Sequence, residues 1–268
     1  MALHQPSLFI PHGGGPCFFM PPRPGHPPDL WDRMAAFLRG IAASLPERPR
    51  AVLVISGHWE EPAPAVNGAA HPGLLFDYYG FPAHTYQLTY PVPGDAVLAA
   101  EVRSMLETAG FATGEDDQRG LDHGVFVPFK LVFPDADIPL VQLSLIKGLD
   151  PAAHIAMGRA LAPLRNQGVL IVGSGMSYHN LRHIYGAEAE ENAASAAFDE
   201  WLEAAVTGPD RDAALAQWAQ APGARQSHPR EEHLIPLMVA AGAGGSDPGV
   251  RVYKDELLGK TYAGYRFG

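Results

Sequence analysis

Three apolar runs in this chain end in the same way. "SLFI" (7–10) passes into Pro11-His12-Gly13, "AVLVIS" (51–56) into Gly57-His58-Trp59, and "GVLIVGSG" (168–175) into Met176-Ser177-Tyr178-His179-Asn180. Imidazole is the commonest protein ligand for transition metals, and it exchanges protons near neutral pH. A single buried histidine beside a strand is more often a hydrogen-bonded core residue than a ligand. Three that repeat one strand-turn-histidine arrangement are less easily coincidental. Two more draw attention. His233, in "SHPREEHLIPL" (227–237), shares a helical face with Leu237 and so turns inward. His123, in "GLDHGVFVPF" (120–129), stands between an aspartate and a glycine in a loop that leads into an apolar stretch. The chain has one cysteine, Cys17, so a metal held here would be bound through nitrogen and oxygen. His4, His26, His71, His154 and His183 have no such setting and read as surface or incidental residues. His84 stays open, because the aromatic loop around it could reach the site.

The loop "PHGGGP" (11–16) admits other chemistry. Some esterases use His-Gly-Gly-Gly to stabilise an oxyanion, but they need a nucleophile elbow, G-x-S-x-G, between strand and helix. The chain has none; "VGSGMS" (172–177) sets its glycines immediately around Ser174. Nor does a Walker motif, a G-x-G-x-x-G after a strand or an H-E-x-x-H helix occur. The metal survives this comparison.

Strand-like and helix-like segments alternate, which predicts an α/β fold. The strands expected are 7–10, 51–56, 139–145 and 168–174, rich in Val, Ile and Leu without strict alternation, as in strands covered on both faces. Weaker candidates are 65–69, 86–90 and 250–254. Helical spacing covers 29–45, 94–110, 151–168, 193–208 and 230–245, with Pro236 bending or delaying the last. No repeat or long linker divides residues 1–268, which read as one domain flanked by helices, with its site at the carboxyl ends of the strands.

Composition narrows the partners. The chain has 268 residues, 47% apolar and 18% charged, with a formal net charge of -10, so nucleic acid is not expected. The longest apolar runs, such as "IPLVQLSLI" (138–146), fall far short of a membrane span. "MALHQPSLFI" lacks a basic start and a small-residue cleavage site, and the single cysteine suits a reducing compartment, so a cytoplasmic protein is expected.

Taken in order, "PHGGGP", "SGHWE", "GLDHGVFVPF", "GSGMSYHNL" and "EEHLIPL" resemble the class III extradiol ring-cleavage dioxygenases, in the branch containing 4,5-DOPA dioxygenase. "DYYGFPAHTYQLTYPVPG" (77–94) and "FPDADIPLVQLSL" (133–145) share the likeness, which spans nearly the whole chain. The resemblance implies a central mixed sheet with a non-haem iron(II) in a cleft above it. It places His12 and His58 at two metal-ligand positions and His233 at the remaining one. His179 falls at an acid/base position near the metal, and His123 at a position that contacts substrate or oxygen. Where this chain has His233, the protocatechuate-cleaving branch has a glutamate; Glu231 and Glu232 stand beside it. A fourth nitrogen from His179 would suit Zn(II), whereas an iron(II) oxygenase keeps open positions on one face. The implied reaction opens a catechol ring with O2 next to its hydroxyls, giving a muconic semialdehyde, with His179 taking a catechol proton. Trp59, Phe126 and the loop of Phe76, Tyr78, Tyr79 and Phe81 are candidates for a ring pocket, each weighed against core packing. Arg182 is a candidate partner for a substrate carboxylate. The competing expectation is a zinc-binding, hydrolase-like or catalytically altered protein on the same scaffold.

Overall fold

The computed structural model describes residues 4–184, 186 and 188–268. Eight strands form one mixed sheet: β1 (Ser7–Pro11), β2 (Ala51–Glu61), β3 (Ala65–Asn67), β4 (Gly114–Glu115), β5 (Leu140–Ile146), β6 (Val169–Gly175), β7 (Gly249–Leu257) and β8 (Lys260–Phe267). Their spatial order is β4-β3-β5-β2-β6-β1-β8-β7. The centre, β5-β2-β6-β1, is parallel, and β3 and β8 join it antiparallel. The carboxyl ends of β1, β2 and β6 therefore lie on one side of the sheet, as the expectation of an α/β fold required.

Burial on both faces follows from the strand sequences. In β2, Leu53 and Ile55 face one core while Val52 and Val54 face the other; β6 repeats this with Val169 and Ile171 against Leu170 and Val172. The first core is closed by α2 (Ala96–Thr108), α4 (Pro151–Leu161), α5 (Ala189–Thr207) and α8 (Ile235–Gly244), and the second by α1 (Asp32–Ser44) and α3 (His123–Val132). Two short helices, α6 (Arg211–Ala216) and α7 (Ala224–Ser227), complete the first layer. Helix α8 is buried along its whole length, which explains its uniformly apolar and small residues.

Several boundaries differ from the sequence reading. Residues 83–87 form a 3-10 turn and no strand covers 86–90, while the candidate over 250–254 lies in β7, which pairs as an edge hairpin with β8, a strand the sequence reading missed. The helix expected over 151–168 stops at Leu161 because Pro163 cannot donate to its last turn; a 3-10 turn follows. The helix expected over 230–245 begins at Ile235, since Pro236 suits a first turn, so His233 lies in the turn before the helix rather than on its face. His123 is not in a loop: it opens α3. His154 is fully buried, its Nε2 accepting from the Ile146 N–H, and so supports β5 instead of lying on the surface.

Candidate metal centre

Backbone geometry delivers the histidines. His12 follows the last residue of β1, and its N–H donates to the Gly175 carbonyl at 3.2 Å. In β2 the pairing with β5 skips from Ile55–Leu143 to Glu60–Leu145, and the pairing with β6 ends at Ser56–Ser174, so Gly57–Trp59 leave both ladders in a bulge that re-aims His58. The Met176 N–H donates to the His233 carbonyl at 2.9 Å, lashing the turn before α8 to the end of β6. Glycines permit these approaches. A Cβ at Gly175 would collide with the His233 carbonyl, and one at Gly124 would lie 2.5 Å from Ser56 Oγ and 2.9 Å from the His58 ring.

Three imidazoles converge. His58 Nε2 lies 3.2 Å from His12 Nε2 and 3.2 Å from His233 Nε2. The other nitrogen of each ring is already committed. His233 Nδ1 faces Glu232 Oε1 at 2.9 Å, and His58 Nδ1 faces Asp77 Oδ2 at 3.5 Å. A carboxylate only accepts, so His233 Nδ1 carries the proton, and the negative charge of Asp77 beside His58 Nδ1 favours the same tautomer there. His12 Nδ1 faces Ser174 Oγ at 3.1 Å, and that hydroxyl spends its own hydrogen on the Gly124 carbonyl. His12 must then donate through Nδ1 as well. Three bare Nε2 lone pairs thus point at one another, an arrangement that only a shared cation makes favourable. The Gly124 carbonyl is free for this because Pro128, four residues on in α3, has no N–H to give it.

Electrostatics agree with a cation site. Burial, reinforced by the neighbouring imidazoles, holds His12 and His233 well below the usual histidine range. Burial pushes His58 down to about 3, against the opposing pull of Asp77. Neutral imidazole is the form that binds metal. His228, buried beneath His179 with its Nε2 2.9 Å from the Ser177 carbonyl, is likewise held at about 3 by burial.

The sign of the pH effect follows. An unfolded histidine titrates near 6.5. Between there and about 3, the unfolded chain binds protons that folded His58 and His228 refuse, so stability falls as pH falls. The expected slope is about 1.4 kcal/mol per pH unit for each such histidine. Urea midpoints of the metal-free protein at about pH 7 and about pH 5 measure it, and equal midpoints would contradict the assignment.

Two further histidines border the cluster. His123 Nδ1 lies 2.7 Å from Asp77 Oδ1, whose carboxylate also receives the His123 backbone N–H at 3.0 Å. Burial opposes the charge on Asp77, but the His123 and His58 contacts outweigh it and hold the group below its usual range. His179 stacks on His233 with ring centres 3.4 Å apart, and its Nδ1 lies 3.1 Å from Glu232 Oε1. Ligand atoms within 4.8 Å of one another group as His12-His58-His233, as His58-Asp77-His123 and as His179-Glu232-His233. His179 therefore joins Glu232 and His233, not His12 and His58. Of the two carboxylates beside His233, Glu232 takes part, while Glu231 pairs with Arg225 at 2.7 Å.

Behind His58 lies a buried network. Asp122 accepts from Ser56 Oγ at 2.7 Å and Gln142 Nε2 at 2.5 Å, and Arg119 bridges Asp122 to the His58 carbonyl at 3.4 and 3.0 Å. Asp122→Ala strands these donors in the interior and is expected to cost about 3–5 kcal/mol in urea denaturation. A loss under about 1 kcal/mol would show that the network carries little weight.

The remaining predicted residues lie further out. Trp59 is buried under Arg119, 5.0 Å from its ring centre, and its indole N–H donates to Glu61 at 3.1 Å. Phe126 is buried against Phe76 and Tyr78, with ring centres 5.4 and 6.4 Å apart. Tyr79 is 90% exposed on the rim of a cavity. Arg182 is exposed in the turn after Asn180, and His84 lies 3.0 Å from the Phe19 carbonyl. Asp77, Ser174, Asp122 and His228 escaped the sequence reading. Asp77 carried a signal in its place just ahead of the aromatic loop; the others are ordinary polar residues until the sheet is assembled.

A family model described as the catalytic LigB subunit of aromatic ring-opening dioxygenase matches residues 6–267. The chain belongs to this family. The chain is also similar along most of its length to named proteins. The chain is 40% identical over 277 residues to dioxygenase tasH of Hapsidospora irregularis, covering 98% of this chain and 85% of that protein. It is 39% identical over 224 residues to 4,5-DOPA dioxygenase extradiol of Beta vulgaris, covering 82% and 84% of the two. To the Escherichia coli (strain K12) protein of the same name it is 33% identical over 248 residues, covering 91% and 87%. The crystal structure of an uncharacterized Escherichia coli K12 protein superposes with a TM-score of 0.77 at 28% identity, covering 98% of this chain and all of that one. LigB dioxygenases are metal-dependent, and the histidine and aspartate clusters of this chain could hold a metal; among the described residues no helix is long and apolar enough to cross a membrane.

Proposed function

We propose that this LigB-family chain is an extradiol dioxygenase that opens a catechol-type ring, DOPA-like or related, with O2 to give a muconic semialdehyde. The observation that carries this reading is the convergence of three Nδ1-protonated imidazoles, His12, His58 and His233, whose bare Nε2 atoms suit a divalent metal. Bound there, iron(II) would supply the redox chemistry that joins a catechol to dioxygen.

The chain's own residues supply proton handling and orientation. Glu232 accepts from Nδ1 of His179, which leaves His179 Nε2 as a base for a catechol hydroxyl proton. The same carboxylate orients His233, so base and ligand are set by one group. Asp77 fixes His123 through Nδ1, leaving Nε2 to accept a hydrogen bond from the substrate's second hydroxyl. Tyr78, Phe76 and Phe126 pack behind His123 and keep that side of the site dry. A cytoplasmic location accords with the single reduced cysteine. A second reading, a zinc-binding hydrolase-like protein, is favoured by one feature: the inner set is all imidazole, without the carboxylate of a facial triad.

Removing metal, reloading anaerobically with iron(II) or zinc and following O2 uptake with a panel of catechols separates the two. Iron-dependent uptake with a yellow product supports ring opening. Tight zinc binding with background uptake for every catechol would overturn it and promote the second reading.

A further inference from the structure

Beside the metal centre lies a cavity of about 490 Å³, the size of a pocket for an extended organic ligand. It shares its walls with the two loops that carry the site. Gly14, two residues after His12, forms part of it, and so do Tyr79 and Phe81, just beyond Asp77. A Cβ on Gly14 would meet only the Trp31 ring, 3.8 Å away, and one on Gly15 would press on Phe81 at 3.0 Å. The backbone that holds His12 is thus also the near wall of the cavity.

The far wall is α1. Asp32, Ala35 and Arg39 line the cavity at spacings of three and four, one face of that helix. Arg39 lies seven residues beyond Asp32, about 10 Å along the helix axis. Side chains on a helix lean toward its N-terminus, which inclines the Arg39 guanidinium back toward Trp31 and the glycine loop. Phe18, Leu30 and prolines 21, 22, 24, 27 and 28 make the rest of the lining largely apolar. The charged members are Arg23 and Arg39 against the single carboxylate of Asp32, with His26 beside them. In a chain of formal charge -10, that is a local reversal of sign. Arg39 is exposed and has no hydrogen bond or ion pair among the described residues, whereas Arg33 on the same helix is spent on Asp255 at 2.7 Å.

Resting on the ring-opening reading above, we propose that this cavity is the subsite for the remainder of the substrate: an extended, mainly apolar substituent on the aromatic ring that ends in an anionic group, received by Arg39. An alanyl-sized tail would leave most of the volume empty. The substrate class is therefore a catechol bearing a long acidic chain, with Arg39 as the specificity-determining residue.

The test uses a ligand that has no catechol hydroxyls. The purified protein is titrated calorimetrically with 6-phenylhexanoate and with 6-phenylhexanamide, in the wild type, Arg39→Gln and Arg39→Lys. The acid is expected to bind about tenfold more tightly than the amide. Arg39→Gln brings that ratio to about one, and Arg39→Lys retains part of it. Equal affinity for acid and amide in the wild type overturns the proposal. So does a preference that persists in Arg39→Gln, which would place the carboxylate on the metal or elsewhere. An Arg39-dependent preference in a protein that opens no catechol ring supports the anion subsite while overturning the ring-opening reading, so the two fail separately.

Discussion

His58→Ala is expected to abolish iron-dependent O2 uptake with catechols, a fall of more than about 10²-fold, the upper range for losing a group outside the ligand set. His58 is the central member of the cluster: its Nε2 lies 3.2 Å from both His12 Nε2 and His233 Nε2, while the His12 and His233 ring centres stand 5.2 Å apart. Its removal leaves two imidazoles where three converged, so metal content should fall well below one ion per chain together with activity. The fold should survive, because His58 is only half-buried and its charge is already excluded at neutral pH. Far-UV circular dichroism and the urea midpoint of the metal-free protein check this. A folded variant that keeps equimolar metal and wild-type turnover would remove His58 from the centre. His12→Ala should behave alike.

The second large effect is expected at Glu232. One oxygen, Oε1, lies 2.9 Å from His233 Nδ1 and 3.1 Å from His179 Nδ1, while Arg230 approaches the other oxygen at 3.4 Å. The carboxylate therefore sets the tautomer of a ligand and of a base at once. Burial opposes its charge, but the His179 hydrogen bond and the nearby Arg230 outweigh burial and hold Glu232 below the usual glutamate range. Glu232→Gln keeps the shape and removes the charge. An amide oxygen is a weaker acceptor for two N–H donors, so metal affinity and kcat should each fall about 10–100-fold. Losses confined to one of the two would assign Glu232 to a single histidine. Unchanged metal affinity and unchanged kcat would show that the tautomers are set elsewhere.

Much of the site was legible in the residues. His12, His58 and His179 follow strand-length apolar runs, and a run of Val, Ile and Leu without alternation already requires a strand covered on both faces. Once the central strands are parallel, their carboxyl ends must share one side, and so must the histidines that follow them. The glycines around those histidines were equally visible, although what they make room for was not. Gly175 accommodates the His233 carbonyl, a contact between residues 58 positions apart.

What the tertiary structure decided are the relations between groups distant in sequence. Periodicity placed His233 on a helix; Pro236 instead starts α8 two residues later and leaves His233 in the turn that β6 fastens. Ser174, which fixes the proton on His12, belongs to a strand with no local mark of that task, and Asp77 is marked only by its place just ahead of the aromatic loop. Pro128 stands in an apolar stretch, and its missing N–H frees the Gly124 carbonyl for Ser174 and so sets the proton on His12. Local sequence determines which segments bury which faces, because burial depends on the period of apolar residues. Which lone pair faces which donor depends on ångström distances between segments, and those exist only after the sheet and its helices have closed around one another.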